Sequence, residues 1–388
     1  MSRVVLLSLL LVACGAPPAS PDAGSDGGPP DAGGSDAGPT PPPIVIERSL
    51  FWAQGELLDD AATISFASLM ATAAADGHGG RLLDQWFHRF ATTAHSERAL
   101  PAQFIDDVAA TQGSDPTGWD LAALPFKVTG VHNRIDVADL SPEGHCGELR
   151  ASVSCTDVTL QPFHALFLFR QPLGEGDVVN GRVTCEATAR RWAALSALEG
   201  DALLKAVRET WRAGFTRERF VMIETVEFTL SPWEWRQWVP RPDGALDNPP
   251  LFQQVDVDRL NAPGALRDDF LAWVRENVPA LEARTLLIPE RFRAPSVRVT
   301  QGVPRVALRL DAALDAQAPT LRQQLELVGC AACHTADADF VQTRTDRSVS
   351  PFYEKELEAR AVHLRRLALG EAPRAPFGPL QAAPVLPP

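Results

Sequence analysis

The chain has 388 residues with 45% hydrophobic content, enough for one large domain or two small ones once a polar N-terminal stretch is set aside. Its net charge of -13, without a Lys/Arg-rich run, excludes nucleic acid and anionic lipid as partners of the folded part. After the first residues no stretch is long and apolar enough to cross a membrane.

In chain order, Arg3 is followed by a short apolar run, Val4 to Val12, broken only by Ser8. That run is too short to span a bilayer and predicts a cleavable export signal. It ends in Leu11-Val12-Ala13-Cys14, which resembles a bacterial lipoprotein signal. The resemblance implies cleavage before Cys14, lipidation of its sulfur and amine, and a membrane partner through that anchor. Gly15 in place of Asp implies, by the same analogy, the outer membrane of a bacterial envelope. Residues 15–43 read "GAPPASPDAGSDGGPPDAGGSDAGPTPPP". With no apolar residue larger than Ala or Pro, this segment cannot repay its ordering entropy and is expected to be a disordered tether, about 30 Å across as a coil.

Residues 44–311 are expected to form an α+β domain, and 312–388 a helical C-terminal region. Helices are predicted within 61–110, where Leu82, Leu83, Trp86, Phe87 and Phe90 make one apolar stripe. Strands follow at "FKVTGV" (126–131), "ELRASVS" (148–154) and "FHALFLF" (163–169). The last is apolar on both faces and belongs at the centre of its sheet, so His164 reads as a satisfied core histidine. Helices are predicted at 186–198 and 201–212, strands at 219–230 and 234–239, and a helix at 264–276. Strands interleaved with helices in no regular βαβ rhythm give a mainly antiparallel sheet. Thr320 and Gln323 have capping-box spacing before Leu321, Leu325 and Val328. Ser350-Pro351 starts a last helix running to about Gly370.

Of the six cysteines Cys14 is assigned to the anchor, and five remain to be placed. Cys146 and Cys155 are separated by a predicted extended strand and cannot reach each other. Cys185 is therefore expected to pair with one of them, Cys146 being preferred. The last two lie in "GCAACH", residues 329–334. Cys330-Ala-Ala-Cys333-His334 has the spacing of c-type haem attachment, in which two thiols meet one haem edge and the adjacent imidazole meets the iron. Its placement between helices resembles small cytochromes c. No methionine follows His334, so His363 is the candidate second axial ligand, and Arg344 and Arg347 are candidate neighbours of the propionates. The alternatives are a CxxC disulfide, a thiol redox pair and a metal clip. A helix C-terminus disfavours thiolate, and zinc needs four ligands.

"LPFKVTGVHNRIDV" (124–137), "CGELR" (146–150), "SPWEWRQW" (231–238) and the late Cys-x-x-Cys-His together resemble a family of uncharacterised myxobacterial lipoproteins. That family has no settled activity, so the resemblance implies an envelope location and no named reaction. Its motif resembles Cys-Asn-Gly-Cys-His with a later histidine, where this chain has Ala331-Ala332 and Gln342. The polar residues of these phrases, Asn133, Arg134, Asp136, Glu148, Arg150, Glu234 and Arg236, are expected to form ion pairs and strand-end hydrogen bonds, with a ligand cleft as the alternative. No nucleophile elbow, HExxH, phosphate loop or EF-hand pattern occurs. Two functions stand: a tethered single-haem electron carrier serving a redox partner protein, and a cofactor-free structural or interaction lipoprotein with a Cys330-Cys333 disulfide.

Overall fold

The structure is a computed structural model describing residues 41–53, 55–92, 100–138, 144–157, 163–227, 233–251, 254–282, 288–299, 308–317, 321–322, 325, 343, 345–349 and 351–371. Cys14, the tether to residue 40, the capping residues Thr320 and Gln323, Val328, Cys330, Cys333, His334, Gln342 and Arg344 lie outside them.

An antiparallel sheet organises the chain. Its order is β1 (Phe51–Trp52), β2 (Phe126–Arg134), β3 (His145–Cys155), β4 (Phe163–Pro172), β7 (Phe220–Glu227), β8 (Trp233–Pro240) and β10 (Val297–Val299), with β9 (Leu246–Asp247) added to β8. A small hairpin, β5 (Val178–Val179) with β6 (Arg182–Val183), stands apart from it. The twice-apolar strand is central, between β3 and β7. The α+β class and the antiparallel sheet with flanking helices are thus as the pattern predicts. The predicted strand at 148–154 begins earlier, at His145, because Gly147 takes φ +89 and turns the backbone against β2. A Cβ there would stand 2.3 Å from the Arg134 carbonyl oxygen, so only glycine fits.

Paired residues in an antiparallel ladder share a face, so the register divides the sheet into two unlike surfaces. One surface is apolar: Val128, Val153, Ala165, Phe163, Phe167, Ile223 and Trp238. After two short helices, α1 (Ile46–Ser49) and α2 (Glu56–Asp59), the predicted helical span resolves into α3 (Phe66–Ala73), α4 (Gly79–Phe90) and α5 (Leu100–Gln112). α4 lays its stripe on the apolar surface, with Phe90 4.5 Å from Trp238 and Phe87 5.4 Å from Phe163 between ring centroids. Burying rings of this size contributes roughly 2–3 kcal/mol each. α6 (Glu186–Leu195) and α7 (Gly200–Gly214) extend the same core through Trp192 and Trp211, which meet Trp52.

A second apolar cluster gathers α8 (Val257–Asn261), α9 (Ala265–Glu282) and α10 (Ala312–Gln317) through Leu260, Phe270, Val274 and Leu314, with Leu321 and Leu325. α9 outruns the predicted end at 276, continuing past Pro279, because Val278 and Leu281 still bury into this cluster. The last helix, α11 (Pro351–Ala368), returns to the first core, burying Tyr353, Leu357, Leu364 and Leu367. Cys146 and Cys185 form a disulfide with Cα atoms 5.3 Å apart, the preferred pairing, and Cys155 is a buried free thiol.

Candidate functional site

The other surface of the sheet is polar and covered. Its rows run Arg134, Glu148, Arg170; then His132, Arg150, Leu168, Met222; then Ser152, Leu166, Glu224, Gln237; then Ser154, His164, Val226, Trp235. Alternation in "VHNR" and "ELRAS" places these side chains together, because every second residue of a strand points the same way. His132, Arg134, Glu148, Arg150, Glu224 and Gln237 are buried, whereas Ser152, His164 and Leu166 are half-buried.

α11 closes one end of this surface. Arg360 Nη1 donates to the Tyr353 hydroxyl at 2.9 Å, which lies 2.5 Å from His132 Nδ1; His132 Nε2 lies 2.7 Å from Ser152 Oγ. The result is a buried relay from a guanidinium to a half-buried serine. The His132 ring is held well below the usual histidine range by burial and then by the Arg360, Arg150 and Arg134 charges. It is a neutral connector and a poor general base, so the relay is not a nucleophile-activating dyad of the usual kind.

Around the relay stand the ion pairs. Arg134 Nη2 bonds Asp136 Oδ2 at 2.8 Å, and Arg360 approaches Asp136 at 3.6 Å and Glu356 at 2.8 Å. Burial pushes the Asp136 carboxyl up, but Arg134 and Arg360 outweigh it and hold it well below the carboxylate range. Arg150 Nε donates to Glu148 Oε2 at 2.7 Å. Glu224, 3.5 Å from Gln237 Nε2, is pushed up by burial against the lowering charge of Arg150. Four guanidinium nitrogens of this cluster, Arg134 Nη1, Arg150 Nη1 and Nη2, and Arg360 Nε, have no hydrogen-bond partner among the described residues, although Arg150 Nη2 and Arg360 Nε lie in ion pairs with Glu148 and Asp136. A buried donor left unsatisfied costs about 1–3 kcal/mol.

No family model, curated protein or solved structure matches this chain. The assignment of a site therefore rests on its own residues. Among the described residues no group of three or more His, Cys, Asp or Glu is arranged to hold a metal ion.

The residues singled out in the sequence separate into several places. Arg134, Asp136, Glu148 and Arg150 form the expected ion pairs on the polar surface. Glu234 and Arg236 lie on the apolar side instead, where Arg236 meets Glu234 at 3.0 Å and Glu227 at 3.4 Å and stacks 5.0 Å over Phe90. Asn133 also faces away from His132 and accepts from Gln171 at 3.1 Å. Arg347 pairs with Asp59 at 2.6 Å. His164 Nδ1 meets Ser154 Oγ at 2.7 Å, and burial lowers its pKa to about 4. His363 is buried, not on the helix surface, and its pKa is lowered by burial, partly restored by Asp136 and lowered further by Arg366. Sequence reasoning missed His132, Ser152, Glu224, Tyr353 and Arg360. One signal was present: Tyr353 is the sole tyrosine of the chain, set one helical turn-pair before an arginine on the same helix face.

Proposed function

We propose that the chain is a lipid-anchored envelope protein whose folded body is a cofactor-free structural or binding scaffold. The observation that carries this reading is the buried Cys146–Cys185 disulfide, enclosed with Val183. Such a bond persists in an oxidising compartment, in keeping with the export signal and the Ala13-Cys14 cleavage site read from the sequence. In this reading Cys14 carries the anchor, residues 15–43 give the body reach, and Cys330 and Cys333 pair with each other. No membrane-crossing helix occurs among the described residues.

The second reading, a single c-type haem on Cys330 and Cys333 with His334 and His363 as axial ligands, is favoured by the CxxCH sequence. His363 is buried and feels the charges of Asp136 and Arg366, a more polar setting than the apolar wall against which a porphyrin packs. The test is an absorption spectrum of the mature protein made with a haem-attachment system, beside a Cys330→Ala, Cys333→Ala double variant. A colourless protein with no free thiol at either position is the expected result. A reduced α band that survives denaturation and vanishes in the variant overturns the scaffold reading in favour of electron transfer.

A further inference from the structure

We infer that α11 is a strap released by acid: its joint to the sheet, Tyr353 on His132, holds while the His132 ring carries one proton and opens when the ring takes a second. The device goes beyond the scaffold reading and does not depend on the state of Cys330 and Cys333. The direction of the hydrogen-bond chain is fixed at its helix end. A guanidinium only donates, so Arg360 Nη1 gives to the Tyr353 hydroxyl at 2.9 Å and the hydroxyl proton is directed at His132 Nδ1, 2.5 Å away. Nδ1 is then the acceptor of the ring, and Nε2–H points at Ser152 Oγ at 2.7 Å. The lone pair that receives the helix is the one a second proton takes.

That proton sets two donors against each other across the joint, and it adds a cation where Arg360, Arg150 and Arg134 already act on the ring. The neighbouring carboxylates are committed elsewhere. Glu356 on α11 pairs with Arg360, Asp136 in the turn Ile135–Val137 with Arg134 and Arg360, and Glu148 on β3 with Arg150. Glu224 on β7, two rows of the ladder away, is pushed towards its neutral form by burial. From β1 the ring meets only an apolar side chain, Phe51, at 4.9 Å between centroids. His363, the imidazole on the helix side, feels Asp136 and Arg366.

The helix is the side of the joint that yields. His132 sits on β2, which is laddered to β1 and β3. α11 joins no ladder; it rests on α6, on α1 and on the turn Ile135–Val137, with Leu357, Leu364 and Leu367 buried in the first core. An element held by side chains alone opens at lower cost than a strand inside a sheet. Opening returns the ring to the ordinary histidine range near 6.5. Closure is therefore complete above that pH and weakens below it, by up to about tenfold per pH unit for one proton.

Amide hydrogen exchange of the full-length mature protein between pH 7 and pH 5 is the test, expressed as protection factors so that the intrinsic pH dependence of exchange divides out. Amides of α11 are expected to be less protected than those of β3 and β4 and to lose protection by up to about tenfold per pH unit below 6.5. His132→Asn keeps an acceptor near the place of Nδ1 and cannot take the proton, so its α11 slope is shallower than wild type. If that variant does not fold, His363→Asn decides, because it removes the imidazole on the helix side and should keep the slope. Equal protection of α11 and the central strands, α11 protection that does not change with pH, an unchanged slope in His132→Asn, or a slope lost in His363→Asn overturns the strap.

Discussion

The Tyr353 hydroxyl lies 2.5 Å from His132 Nδ1 although 221 residues separate them. The contact ties the last helix to the second strand and orients an imidazole that no local segment holds. Tyr353→Phe removes the hydroxyl and leaves His132 Nδ1 and Arg360 Nη1 each short of a partner. A loss of about 1–3 kcal/mol is expected, read as a lowered denaturant midpoint with an unchanged slope.

Arg360 serves both Asp136 and Glu356. Its removal strands buried carboxylate charge, the costly way to break an ion cluster. Arg360→Met is expected to destabilise by about 3–5 kcal/mol, more than Tyr353→Phe. Equal midpoints for wild type and Arg360→Met in urea would show that the cluster adds nothing.

The disulfide closes a loop of sequence separation 39. Replacing Cys146 and Cys185 by Ala is expected to cost about 2–4 kcal/mol. Cys155 provides an internal control: burial raises its thiol to about 11. It should react with a thiol reagent only upon unfolding, so the labelling rate of the folded protein reports opening of the sheet.

Acid should destabilise the fold before its carboxylates titrate. His164 has a pKa lowered from 6.5 to about 4, and His132 lies well below 6.5. Between those values the unfolded chain binds protons that the folded chain refuses, so stability rises with pH there. Stability is full above pH 6.5 and is lost as pH falls towards 4. The His164 share is at most about 3.5 kcal/mol, at about 1.4 kcal/mol per pKa unit, and less because the ring is only half-buried. Melting temperature against pH should flatten in this window in His164→Asn; an unchanged slope would remove His164 from the account.

Local pattern carried much of the architecture. The stripe of Trp86, Phe87 and Phe90 and the twice-apolar strand at Phe163 are visible because burial imposes periods of 3.6 and 2 on short segments. The Cys146–Cys185 pair is legible because an extended strand keeps Cys146 and Cys155 apart. The division of the polar residues was not legible. Arg150 and Arg236 read alike in the sequence, yet register sends one to each side of the sheet. Nor does a sequence show that Arg360 completes a cluster begun at Arg134, because that pairing depends on a chain reversal hundreds of residues long. His363 was named as a ligand for want of methionine; in the structure it is buried and feels the charges of Asp136 and Arg366, and the motif it would complete lies outside the described residues.

The position of α11 also sets an order of assembly. It is the last described helix, and it supplies the partners of side chains carried by β2, near the start of the folded body. A chain made N-terminus first would present the sheet before the strap that locks it. Until Tyr353 and Arg360 arrive, Asp136 and His132 face water, and the ladder can still breathe. A chain ending before Pro351 should therefore be soluble only briefly and cleaved at the β2 edge, whereas adding residues after Glu371 should be tolerated. The last described helix acts as the latch, and pulse proteolysis during refolding would show the moment at which it closes.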